Sequence, residues 1–76
     1  MKDLIEYIAK SIVTLPEEVR VTEEADDKSR VIVKLEVAAA DKGRIIGRQG
    51  RVAEAMRTLL RVVGTKEGVR TRLEIL

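Results

Sequence analysis

Gly43-Arg44-Ile45-Ile46-Gly47-Arg48-Gln49-Gly50-Arg51-Val52-Ala53-Glu54-Ala55-Met56-Arg57 is the stretch of this chain whose reading decides the fold. It holds three of the five glycines, and Gly47-Arg48-Gln49-Gly50 separates two apolar-periodic segments. Upstream, Asp41–Ile46 reads as a short helical turn. Downstream, Val52, Ala55, Met56, Leu59, Leu60 and Val63 recur at spacings of three, one, three, one and three. That is the buried stripe of a long helix, with Gly64 expected to end it. A tight turn between two helices, open to another backbone, needs residues without Cβ. The first N–H groups of the helix that starts near Arg51 face back to this turn, and the helix dipole adds partial positive charge. With Arg44, Arg48 and Arg51 around it, the turn is suited to a phosphate. It is neither a Walker loop, since Arg51-Val52 follows Gly50, nor a full dinucleotide fingerprint. Gly43 and Gly47 have the spacing of a membrane helix-pairing motif, but in charged surroundings.

Working outward, Leu4, Ile5, Ile8, Ile12 and Leu15 form an amphipathic stripe. It predicts a helix over Lys2–Val13, capped by Asp3 and stopped by Pro16. Val19–Glu23 alternates as a short strand. Arg30–Val37 alternates more cleanly, with Val31, Val33, Leu35 and Val37 on one face, so the two predict an antiparallel hairpin. Val69–Leu76 alternates again. The order is helix, strand, strand, short helix, glycine loop, long helix, strand, which predicts a two-layer α+β sandwich. No repeat, low-complexity tract or linker interrupts it, so residues 1–76 read as one domain.

Composition narrows the function. Seventy-six residues carry neither cysteine nor histidine, which removes disulfides, thiolate metal sites and the commonest general base. No cofactor is expected, and catalysis is not. The cluster Glu23-Glu24-Asp26-Asp27 reads as a solvated turn. Apolar runs are too short to span a membrane, and the N-terminus lacks a signal pattern, so a cytoplasmic location is the expectation. Tyr7 is the one aromatic residue, so base stacking on rings is not available. The absence of Asn and an excess of Arg over Lys fit a heat-adapted source. Net charge is +2, but residues 1–40 sum to −3 and residues 41–76 to +5. The second half therefore carries an anion-facing side.

An aliphatic pair followed by Gly-x-x-Gly, set between two helices behind a β-hairpin, resembles the K-homology (KH) domain signature. The element order is similar to the type II arrangement, and the run from Gly43 to Arg57 looks like the small stand-alone bacterial KH proteins of the KhpA type. The resemblance covers the whole chain. It implies a single type II KH domain, α-β-β-α-α-β, with a three-stranded mixed sheet packed against three helices. It also implies single-stranded RNA as partner, about four nucleotides held by their backbone. By that resemblance Gly47, Arg48, Gln49 and Gly50 hold the sugar–phosphate chain. Gly43 and Arg44 wall the groove before the loop, Arg51 and Ala53 after it, and Ile46 meets a base while Ile45 packs inside. The family's setting implies an RNA chaperone or post-transcriptional regulator, often beside a second, larger KH-containing protein; that partner or self-association would supply avidity, and the apolar Tyr7, Ile32 and Leu76 are candidate contacts. The loop here is Arg-Gln rather than doubly basic, which implies a weaker phosphate grip. Arg70 and Arg72, far along the chain, are left outside the site. The other functional class open to this sequence is a protein-interaction adaptor that keeps the fold with weak or lost RNA binding.

Overall fold

The N-terminal apolar stripe folds as helix α1 (Lys2–Ile12) in the computed structural model, which describes residues 1–26 and 28–76. Ile5 and Ala9 are fully buried on its inner face. Met1, not Asp3, is the N-cap residue; Asp3 lies in the first turn, where its charge faces the positive end of the helix dipole. Val13 turns extended and ends the helix one residue short of expectation. Leu15 leaves the stripe and stands exposed, and Pro16 opens a single 3-10 turn to Glu18.

Strands β1 (Arg20–Ala25) and β2 (Arg30–Glu36) pair antiparallel, with Arg20 opposite Glu36 and Ala25 opposite Val31. The expected acidic turn is ordered at Asp26, whose carboxylate accepts from Lys28 N–H at 2.9 Å, Arg30 N–H at 3.1 Å and Arg30 Nε at 2.8 Å. Asp27 lies outside the described residues. A 3-10 turn (Ala39–Asp41) leads into α2 (Lys42–Ile46), and a second turn (Arg48–Gly50) leads into α3 (Arg51–Glu67). Strand β3 (Arg70–Ile75) then pairs parallel with β2, Arg30 opposite Arg70 and Leu35 opposite Ile75. A parallel partner needs a crossover, and α2 and α3 supply it. The sheet order β1-β2-β3 is therefore mixed, with β3 an edge. Three helices cover one face, as the expected type II KH order requires.

The core takes Ile5 from α1, Val33 and Leu35 from β2, Ile45 from α2, Met56 and Leu60 from α3, and Leu73 from β3. The α3 stripe differs from expectation. Its buried positions are Ala53, Met56, Leu60 and Gly64, while Ala55 and Leu59 are exposed. Gly64 does not end the helix. It lies inside it, where a Cβ would stand 2.6 Å from Thr71 Cγ2 and 2.8 Å from the Val69 carbonyl oxygen. Close packing of α3 on β3, not helix termination, requires this glycine. The terminator is Gly68, left-handed at φ 73°.

Gly64→Ala is expected to destabilise the fold by about 1–3 kcal/mol, since a backbone oxygen cannot yield as a side chain does. Gly43 sits in α2 with nothing within 4 Å of a Cβ, so Gly43→Ala should stabilise by about 0.5–1 kcal/mol. Urea denaturation of both variants checks the contrast.

Candidate nucleic-acid interface

The glycine loop is positioned by a buried carboxylate. Asp41 is the one buried charged residue of the described core, and its side chain is closed to solvent. Oδ1 accepts from Thr14 N–H at 3.0 Å and Thr14 Oγ1 at 2.8 Å, and Oδ2 accepts from Leu15 N–H at 3.1 Å. Arg44 Nε stands 3.8 Å from Oδ1. The Thr14 N–H bond, with those from the Thr14 hydroxyl and Leu15 N–H and the Arg44 charge, outweighs desolvation and holds the Asp41 carboxyl below its usual range. Asp41 thus ties the segment after α1 to the start of α2. Sequence reading placed Asp41 only at the head of a helical turn. A lone acidic residue after three alanines carries no sign of burial.

Loop geometry follows from sterics. Gly47 has φ 76° and ψ 172°, and a Cβ there would collide with the Val52 side chain. The backbone of the loop therefore passes against the first turn of α3 at a distance only glycine permits. Gln49 (φ 57°) and Gly50 (φ 74°) are both left-handed, and Gly50 N–H closes the turn on the Gly47 carbonyl at 3.1 Å. Arg48, Gln49 and Arg51 are exposed. No described side chain caps the N-terminus of α3, which leaves its early N–H groups to a ligand. Arg44 is paired with Asp41, although its side chain is 60% exposed.

Beside the loop lies an open groove of about 810 Å³. Ile46 from α2 and Ala53 from α3 line it, so two expected site residues meet there with Lys42, Arg57 and the last turn of β3. The adjacent Ile45 is fully buried while Ile46 is 43% exposed, the division expected of that pair. Gly43, Arg44, Gly47, Arg48, Gln49, Gly50 and Arg51 belong to the α2–loop–α3 segment that carries Ile46 and Ala53, but they do not line the groove itself. The far wall is β3, with Arg72, Glu74, Ile75 and Leu76. Arg72, left outside on sequence separation, lines this groove. Leu76 belongs to the groove wall, while Tyr7 stands 74% exposed on α1. Two facts together would have signalled β3: an edge strand, and a tight turn at Gly68 that sends it back along α3. The parallel pairing that makes β3 an edge is tertiary.

The chain matches the family model described as KhpA/KhpB, KH domain, over residues 2–75. It belongs to the KhpA/KhpB KH-domain family. Among curated relatives, the RNA-binding protein KhpA of Clostridium acetobutylicum is 46% identical over 76 residues, covering 100% of both chains. That of Aquifex aeolicus is 46% identical, over 100% of this chain and 95% of the relative. That of Listeria monocytogenes is 47% identical, over 100% and 99% respectively. No solved structure matches this chain. Membership accounts for the sheet order and for the glycine loop together, since both are features of one domain type.

A carboxyl held below the usual 3.8 in the folded state contributes stability that is full above that value and lost as pH falls through the folded one. Asp26 behaves likewise: partial desolvation works against its charge, but the bonds from Lys28 N–H, Arg30 N–H and the Arg30 guanidinium prevail. Asp41→Asn offers one acceptor oxygen where two are used. Its melting temperature at pH 7 should fall by on the order of 5–10 °C, with a flatter decline than wild type between about pH 5 and pH 3. Thermal melts across that range read both effects.

Proposed function

We propose that this chain is a non-catalytic RNA-binding domain that clamps single-stranded RNA by its backbone. The carrying observation is the groove, with the glycine loop at its head, aliphatic side chains on its floor and an open strand edge as its far wall. Phosphates sit on Gly47-Arg48-Gln49-Gly50, against exposed guanidinium groups and the free N–H groups of α3. About four bases lie over Ile46, Ala53, Leu73 and Ile75, where apolar contact replaces ring stacking. The unpaired edge of β3 supplies backbone donors and acceptors to the base edges. Gly43, Arg44 and Arg51 complete the walls. Curated relatives bearing the name RNA-binding protein KhpA support RNA as the ligand. With one aromatic residue in the chain and one cation in the loop, affinity is modest and strongly salt-dependent. Such a domain acts in the bacterial cytoplasm as an RNA chaperone or post-transcriptional regulator, and a larger KH-containing protein or a second copy supplies avidity.

The adaptor reading has one observation of its own: Leu59 and Val62 stand 44% and 51% exposed on α3. The loop separates the two readings. In fluorescence anisotropy with a short single-stranded RNA, Arg48→Asp combined with Gln49→Asp should weaken binding by at least about tenfold while circular dichroism stays native. An adaptor would bind no RNA in either form and would keep its protein partner in both.

A further inference from the structure

A second cavity, of about 330 Å³, adjoins the groove. Arg57, Arg72 and Leu73 line both, so one continues into the other along the seam between α3 and β3. Its remaining wall brings Arg61 from α3 and Arg70 from β3, at the end remote from the glycine loop. The spacing is dictated by the elements. Arg57 and Arg61 are one helical turn apart, and Arg70 and Arg72 are alternate strand residues on one face. Thr71 and Leu73 are the β3 residues that face α3, so Arg70 and Arg72 border the cavity from the open edge of the strand, while Arg57 and Arg61 border it from the helix.

Across both cavities the lining carries five cationic side chains, Lys42, Arg57, Arg61, Arg70 and Arg72, against one acidic side chain, Glu74. A merely solvated surface interleaves its signs, as the β1–β2 hairpin does with Arg30–Asp26 at 2.8 Å and Lys34–Glu24 at 3.3 Å. Here two of the five cations have loose carboxylate partners, Arg57 with Glu54 at 3.9 Å and Arg72 with Glu74 at 3.6 Å. Among the described residues Arg61 has no carboxylate within ion-pair distance. Like charges gathered along one seam repel one another and are relieved by a polyanion laid between them. Between Arg70 and Ile75 the strand advances about 16 Å at roughly 3.3 Å per residue, which is long enough to carry several phosphates.

We propose that the second cavity receives the phosphates of nucleotides that leave the groove, so that one continuous strand is held over more than the loop and groove alone contact. This rests on the reading of the groove as an RNA site. Arg61 and Arg70 are the cations specific to the extension, and Arg57 and Arg72 are shared. The added contacts are to backbone, so they lengthen the footprint without reading sequence.

The test compares a fluorescent uridine tetramer with a uridine decamer, at several salt concentrations, for wild type and for Arg61→Gln combined with Arg70→Gln. The tetramer should bind both proteins alike. The decamer should bind the variant about tenfold more weakly, and its log–log salt slope should be shallower by about 1.4, the loss of two single-strand phosphate contacts. The charge-conserving Arg61→Lys, Arg70→Lys protein should restore most of that slope and guards against a fold defect. Equal decamer binding by wild type and the Gln variant overturns the extension and leaves the groove reading intact. Equal loss of tetramer and decamer also overturns it, because both arginines would then act within the groove. If wild type binds neither oligonucleotide, the groove reading itself fails and the extension with it.

Discussion

A buried carboxylate, Asp41, is the interaction on which the rest of this small domain depends. Its two oxygens take up two backbone N–H groups and a hydroxyl from Thr14 and Leu15, at the point where α1 gives way to the hairpin. A charge without solvent is tolerable only when each lone-pair direction finds a donor, and here the donors come from a segment 26 and 27 residues away in sequence. The same residue begins the α2–loop–α3 segment. The chain thereby anchors this segment to the end of α1 with hydrogen bonds in addition to the burial of Ile45.

The loop itself is set by two close approaches, one on each side of α3. At Gly47 the incoming backbone lies against Val52, and at Gly64 the helix lies against Thr71 and the Val69 carbonyl. Between those contacts α3 is clamped to both the loop and β3. That clamp creates the groove: with α3 held against an edge strand, the surface between them is a trough with an aliphatic floor and charged rims. Edge strands invite pairing with foreign backbone. Here the exposed edge lies beside a cationic helix, which favours a nucleic acid over another strand of protein.

Charge and geometry combine in the same way. Split along the sequence, the second half is basic, but folding decides where that charge goes. Arg44 is drawn to Asp41, Arg48 and Arg51 remain outward at the loop, and Arg57, Arg61, Arg70 and Arg72 gather along one seam. The acidic residues of the first half are engaged elsewhere, in the Asp26 turn and in the pair of Glu24 with Lys34. A net charge of +2 thereby becomes a locally strong field.

The inward Ile45 beside the outward Ile46 came from the family resemblance; periodicity and glycine spacing by themselves determined the element order, the hairpin, the α+β class and the loop as the centre of interest. These are local properties: a helix or strand shows its inner face in the spacing of its own apolar residues. Tertiary structure alone decided three things. It turned α3 so that Ala53 and Gly64, not Ala55 and Leu59, face inward, because a small-residue face allows the close contact with β3. It buried Asp41, because its partners lie on a distant segment. It brought Arg72 and Leu76 to the groove, because a parallel strand pairing depends on a crossover whose path no local pattern records.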